Sequence, residues 1–281
     1  MKSPRFEQRA IKLASIFTPK NIENTWRNKV RKAIQNHHLR DGVENFDLHI
    51  NIEVESKNLS QLILSGDYVP QRAQRILVEK SKGLCRQIVL PSPRDCIVLQ
   101  CLADSLYSSI RGRAPTKKAF FEMDEHRFNV DRTQYGSLAA WLNFQRTLFG
   151  FSKNRNYMVI TDTANYYDTI SYQHLRNVIS AIDGVDESVL DMLIFVLSDL
   201  LWQPDYTPRI EVGLPQIDLD APRLLAHCFL YEMDSYLQGA KDIDLDFVRY
   251  MDDIDIGVDT LVDAKKFFET STSCCNRSKF A

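Results

Sequence analysis

Phe247-Val248-Arg249-Tyr250-Met251-Asp252-Asp253-Ile254-Asp255-Ile256-Gly257-Val258 is the stretch on which the reading of the fold turns. Two strand-like runs, Phe247 to Tyr250 and Ile254 to Val258, flank Met251-Asp252-Asp253, so the segment reads as a β-hairpin with paired acids at its tip. Ninety residues before Asp252, Tyr157-Met158-Val159-Ile160-Thr161 has the pattern of a buried strand and ends at Asp162. Carboxylates at strand ends are open to water and free to converge, which suits a hard, oxygen-seeking cation such as Mg²⁺. Two such ions could activate an attacking hydroxyl and neutralise a transferring phosphoryl group. Adjacent aspartates also occur in ordinary surface turns, so the pair needs its context.

Charge supplies part of that context. The 281 residues are 44% hydrophobic and 26% charged, an ordinary globular balance, and their formal net charge is only −2. Residues 1–150 nevertheless carry a net +9, and residues 151–281 a net −11. A basic half suits a polyanion; an acidic half suits a solvated face or a divalent-cation site. No apolar run approaches the ~20 residues that span a bilayer, and the N-terminus lacks a secretory core, so an intracellular, cytoplasmic protein without a membrane partner is expected. Six cysteines form no C-x-x-C pair and have no histidine at zinc-ligand spacing, which points to reduced thiols.

Outward from the hairpin, the remaining segments alternate between helix and strand. Residues 1–45 read as helical, with Ile22, Trp26, Val30 and Ile34 on one face and Lys29, Arg31, Lys32 and Arg40 on others. Arg75 to Val78 and Arg86 to Leu90 predict a basic hairpin around Ser81-Lys82-Gly83, and Ser92-Pro93-Arg94-Asp95 opens a helix. Residues 111–135 read as loops. Helices follow from Ser171, over 186–201 and from Leu224 to Leu237, with a turn at Gly213-Leu214-Pro215-Gln216 between the last two. His227, inside an apolar helix, reads as a satisfied core residue. No glycine-rich phosphate loop and no Gly-x-Ser-x-Gly elbow occurs.

Taken together, these segments resemble the reverse transcriptases. Tyr250-Met251-Asp252-Asp253 is similar to their catalytic hairpin, and Asp162 followed by Tyr167 resembles their first catalytic motif. Gly213-Leu214-Pro215-Gln216, with Leu224-Leu225-Ala226 and Phe229 to Asp234, is similar to their nucleotide- and template-positioning motif. Lys80, Arg86 and Pro91-Ser92-x-x-Asp95 resemble their fingers hairpin. The four motifs stand in family order across about residues 60–260. The resemblance implies that Asp162 and Asp252 hold two Mg²⁺ ions, or Mn²⁺ in their place, with Asp253 as a supporting carboxylate. It implies that Lys80 and Arg86 meet the incoming triphosphate, that Tyr167 occupies the space of a ribose 2′-hydroxyl, and that Gln216 lies beside the nucleotide. An RNA template, a DNA or protein primer and dNTPs are the implied partners, with a partner chain or homo-oligomer also open.

Two departures qualify this. Ile217 stands where the family has glycine directly after the Gln, and Asp218-Leu219-Asp220 follow it, a pattern similar to the bacterial defence-associated and abortive-infection reverse transcriptases. The sequence also runs only 28 residues past Asp253 and ends in a Ser/Thr-rich tail containing Cys274-Cys275. The expected fold is therefore α+β, a right-hand polymerase shortened after the hairpin. A basic N-terminal and fingers region (1–155) precedes a palm (156–270) whose antiparallel sheet is backed by helices. An irregular tail (271–281) follows, and no thumb is read. The expected function is RNA-directed DNA polymerase, in antiviral defence. Protein-primed or template-independent DNA synthesis is the alternative within enzymes, and an inactive nucleic-acid-binding remnant the alternative outside them.

Overall fold

The computed structural model describes residues 4–35, 42–43, 45–81, 83–123, 136–163, 165–200, 211–240 and 243–269, without the side chains of 4–9, 80–81, 87, 136–137 and 152. Lys82 and the tail 271–281 thus lie outside the described residues. The chain divides into two compact units, each discontinuous in sequence: residues 1–109 with 182–222, and residues 110–181 with 223–281. The expected boundary at 155/156 falls inside the second unit.

Unit 1 opens with α1 (Pro4–Ile16), α2 (Pro19–Thr25), a π-helical turn (Trp26–Val30) and α3 (Arg31–Gln35). The expected apolar stripe is its core side: Ile22, Trp26 and Val30 are fully buried, and Ile34 is half-buried. Then come α4 (Phe46–Ile50), α5 (Ile52–Ser65) and the antiparallel hairpin β1 (Gln74–Ser81) and β2 (Leu84–Leu90). The next helix, α6 (Pro93–Gly112), begins where Ser92-Pro93-Arg94-Asp95 predicts. Ser92 Oγ accepts from the Asp95 amide at 3.2 Å and donates to its carboxylate at 2.7 Å, a capping arrangement. Buried Asp95 also accepts from Tyr68 Oη at 2.6 Å and the Gln71 amide at 3.0 Å. Pro91-Ser92-x-x-Asp95 therefore has a structural role, tying the start of α6 to the chain before β1.

Unit 2 is built on a four-stranded sheet ordered β3 (Ala119–Phe120), β5 (Leu245–Tyr250), β6 (Asp253–Val258), β4 (Tyr157–Thr161). The pairs β5–β6 and β6–β4 are antiparallel. Short β3 lies parallel to β5, so the sheet is mixed where a wholly antiparallel one was expected. The strand expected to be buried, β4, is instead an edge among the described residues: Ile160 is 76% and Tyr157 43% exposed, and of the described strands only β6 pairs with it. A run of apolar residues does not distinguish a central strand from an edge.

The helices of the chain's second half are α7 (Gly136–Asn154), α8 (Tyr166–Thr169), α9 (Tyr172–Ser180), α10 (Glu187–Leu200), α11 (Asp220–Phe229) and α12 (Tyr231–Gly239). Residues 261–269 are helical as well. The single helix expected over 224–237 is broken at Leu230, which leaves helical geometry between α11 and α12. Phe144 and Phe151 of α7 pack on Val248 of β5, with Met158 and Tyr250 at the margin. At the far end of the sheet from the Met251-Asp252 turn, Arg155 donates to Asp246 at 2.9 Å, Asp259 at 2.7 Å and Asp244 at 2.9 Å. Its stem lies so close over Gly257 that a β-carbon there would meet Arg155 Cγ at 2.8 Å and Phe151 Cβ at 3.3 Å. Among the described residues no helix is long and apolar enough to cross a membrane.

Because that site has no room for a methyl group, Gly257→Ala is expected to destabilise the protein by about 1–3 kcal/mol, the usual overpacking cost. A lower urea midpoint at unchanged slope is the check, and an unchanged midpoint would remove the close approach.

Candidate active site

The β4–β6 register sets the geometry of the site. Tyr157 pairs with Val258 and the ladder runs to Thr161 opposite Ile254. Continued by one residue, it places Asp162 across from Asp253. In a pleated strand alternate residues share a face, so Asp253, Asp255 and Gly257 lie on the face that α7 covers, with cross-strand neighbours Tyr250, Val248, Ile160 and Met158.

The electrostatics agree with the register. Asp253's carboxyl is pushed above the usual range, first by burial and then by the charge of Asp162. Asp255, almost wholly buried, is raised by burial and by the charge of Asp253. Its carboxylate accepts from the Thr161 amide, while Oδ1 has no hydrogen-bond partner. Sequence reasoning overlooked Asp255, whose available signal was an acid on the same strand face as Asp253.

Asp252 occupies the turn itself and is half-buried. Its negative charge is felt at Tyr167, whose hydroxyl is pushed up first by burial and then by that charge, and more weakly at Tyr166. Tyr167 is half-buried in α8, edge-on to Tyr166 with ring centroids 5.8 Å apart, and Tyr166 donates its hydroxyl to the carbonyl of Ala226. Asp162, Asp252, Asp253 and Tyr167 therefore belong to one neighbourhood of unit 2.

The other expected residues belong to unit 1. Arg86 is exposed on β2 opposite Val78. Lys80 lies on β1, but its side chain is outside the described residues. Gln216 is half-buried in a segment where the Ile217 amide donates to Pro215 O at 3.0 Å and the Leu219 amide to Ile217 O at 2.8 Å. A cavity of about 340 Å³ in the same unit, lined in part by Asp47, Asn51, Glu55, Ser92 and Arg94, draws on none of these residues.

The turn rests on Arg249 and Asp234, to which the sequence reading gave no role. Met251 has φ +55°, the left-handed region unfavourable to a residue with a β-carbon. Fully buried Arg249 donates to the Met251 carbonyl at 2.8 Å and binds fully buried Asp234 of α12 through two nitrogens, one of them Nε to Oδ1 at 2.7 Å. Arg249 Nη2 also donates to the carbonyl of His227 at 3.2 Å. His227 is the expected core histidine. It is buried, stacked on Phe121 at 5.0 Å and held well below its ordinary pKa by burial and the adjacent guanidinium.

A divalent cation suits the donor set in one respect. Asp162 and Asp253 are hard oxygen ligands whose repulsion a cation would relieve, and Mg²⁺ is commonly held by one or two carboxylates together with substrate phosphates and water. Among the described residues, no three His, Cys, Asp or Glu side chains form a group able to hold a metal ion on their own.

No family model matches the chain. Protein YkfC of Escherichia coli (strain K12) is 27% identical over 205 residues, which cover 70% of this chain and 49% of that protein. The chain thus spans about half the length of this curated relative. Among solved structures, a chain of a partial Cas6-RT-Cas1–Cas2 complex aligns with a TM-score of 0.49 at 15% identity, over 88% of this chain and 38% of that one. A chain of the Cas6-RT-Cas1–Cas2 complex aligns with the same score and identity over 88% and 24%.

The facing carboxylates yield a pH prediction. A carboxyl raised on folding binds its proton more tightly in the folded state, so stability falls as pH rises from the ordinary carboxylate range through the raised value. Asp253→Asn is therefore expected to be more stable than the unaltered protein at pH 7, with the difference closing below the ordinary range. Asp162→Asn should move the Asp253 titration downward in carboxyl-detected NMR, and an unmoved titration would mean that the two acids do not face each other.

Proposed function

We propose that this chain carries the polymerase core of a reverse transcriptase, transferring deoxynucleotidyl units to a primer 3′-hydroxyl on an RNA template, in bacterial antiviral defence. The observation that carries the reading is the register placing Asp162 across from Asp253 at the end of one sheet, beside Asp252 in the hairpin turn. Asp162, Asp252 and Asp253 would hold the divalent ions, Mg²⁺ or Mn²⁺. Such ions supply charge neutralisation on the phosphoryl group and acidify the attacking hydroxyl.

The remaining roles belong to the chain's own side chains. Tyr167, its hydroxyl kept protonated by burial and by Asp252's charge, offers a ring that excludes a ribose 2′-hydroxyl. Arg86 and Lys80, on a hairpin open to solvent at Arg86, would meet the triphosphate as fixed cations. Gln216 would lie beside the incoming nucleotide. A second reading, template-independent or protein-primed synthesis, is favoured by Ile217, whose side chain and tight local turns replace an open glycine.

Purified protein with Mg²⁺, labelled dTTP and oligo-dT on poly-rA, beside a lane without template, separates the readings. Template-dependent incorporation is expected, and Asp252→Ala should lower kcat by at least about 100-fold, the scale of losing a preorganised electrostatic stabiliser. Product without template would favour the second reading. No incorporation, with RNA binding unchanged by Asp252→Ala, would leave a nucleic-acid-binding remnant. In the active protein, Tyr167→Ala should raise ribonucleotide use relative to deoxynucleotide use by about 10–100-fold, the range over which pocket shape discriminates a single hydroxyl. An unchanged ratio would remove Tyr167 from the sugar site.

A further inference from the structure

The Arg249–Asp234 pair is costly as a purely structural device. Both side chains are completely buried, and a buried ion pair recovers its desolvation penalty only when its geometry and remaining hydrogen bonds are good. Hydrophobic residues of similar volume often stabilise as well or better. An apolar pair could not, however, donate a charge-assisted hydrogen bond to the Met251 carbonyl, which Arg249 Nη1 reaches at 2.8 Å. Met251 is the residue that needs it: at φ +55° it is held in a conformation that most side chains avoid, immediately before Asp252 and Asp253.

We infer that Arg249 and Asp234 are a positioning pair that selects the left-handed Met251 turn and thereby sets Asp252 and Asp253 relative to Asp162. Asp234 orients the guanidinium from α12, and Arg249 passes that orientation to the turn through one peptide carbonyl. Neither residue touches substrate. The catalytic consequence rests on the polymerase reading above; the turn-selecting role does not.

The test uses Arg249→Met/Asp234→Leu with and without Met251→Gly, because glycine takes positive φ without the β-carbon penalty. Mn²⁺ affinity is followed by EPR, and kcat and KM for dTTP are followed on poly-rA with oligo-dT. In the double variant, Mn²⁺ affinity and kcat are each expected to fall by about 10–100-fold, the usual cost of losing a residue that orients metal ligands. KM for dTTP should stay within about three-fold, the pattern of a lost transition-state interaction. Adding Met251→Gly should restore a substantial part of both. A folded double variant with unaltered Mn²⁺ affinity, or a loss that Met251→Gly leaves untouched, would overturn the proposal. If the double variant does not melt cooperatively, Arg249→Lys with and without Met251→Gly applies the same criterion. If the unaltered protein binds Mn²⁺ but incorporates nothing, the polymerase reading fails, while the Mn²⁺ series still decides the role of the pair.

Discussion

The antiparallel register between β4 and β6 is the constraint on which the candidate site depends. Thr161 opposite Ile254 brings Asp162 against Asp253 although about 90 residues separate them in the chain. A slip of one residue would move every side chain of β4 to the other face and Asp162 with them. That register is held by groups at both ends of the ladder. At one end, Thr161 Oγ1 donates to the Ile254 carbonyl at 2.5 Å and its amide donates to Asp255. At the other, Arg155 gathers Asp244, Asp246 and Asp259 around the starts and ends of β4, β5 and β6, with its stem seated over Gly257.

The two faces of the sheet in unit 2 are used differently. On the α7 face an apolar cluster of Phe144, Phe151 and Val248 gives way toward the turn to an acidic row, Asp255 and then Asp253. Burial raises both carboxyls, with the charge of Asp162 acting on Asp253 and that of Asp253 on Asp255, a repulsion that a cation would relieve. Across the sheet, Arg249 meets Asp234 and the His227 carbonyl, and there the charge is paired. Among the described residues no ion pair is seen at Asp253 or Asp255 on the first face, whereas Arg249 and Asp234 pair on the other.

Unit 1 follows the same logic of buried polar hubs. Asp95 gathers Tyr68, Gln71 and Ser92 at the start of α6, and Asp104 further along that helix accepts from Lys29 and Gln100, both at 2.7 Å. Gln100 in turn accepts from the Ala221 amide at 3.1 Å, which joins the returning segment 182–222 to α6. A motif that looks functional in one dimension, Pro91-Ser92-x-x-Asp95, is here a cap and a junction.

Local patterns were enough to determine several elements. Alternation and turn chemistry specify the hairpins around Gly83 and Met251, a capping sequence specifies the start of α6, and a four-residue apolar stripe specifies the core side of the first helices. They also drew attention to Asp162, Asp252 and Asp253, because acids beside strand ends stand out against apolar runs; Tyr167 came only from the resemblance to the reverse transcriptases. Only the tertiary structure decided that β4 is an edge, that β3 joins β5 in parallel, that the apolar run after Leu224 breaks at Leu230, and that Asp162 faces Asp253. It alone revealed that Arg249, quoted in sequence only as part of a strand, is buried beneath the turn with Asp234 of a separate helix. The physical reason is that strand order, register and the pairing of buried charges are set by contacts between residues distant in the chain, whereas periodicity and capping report only on neighbours within a few positions.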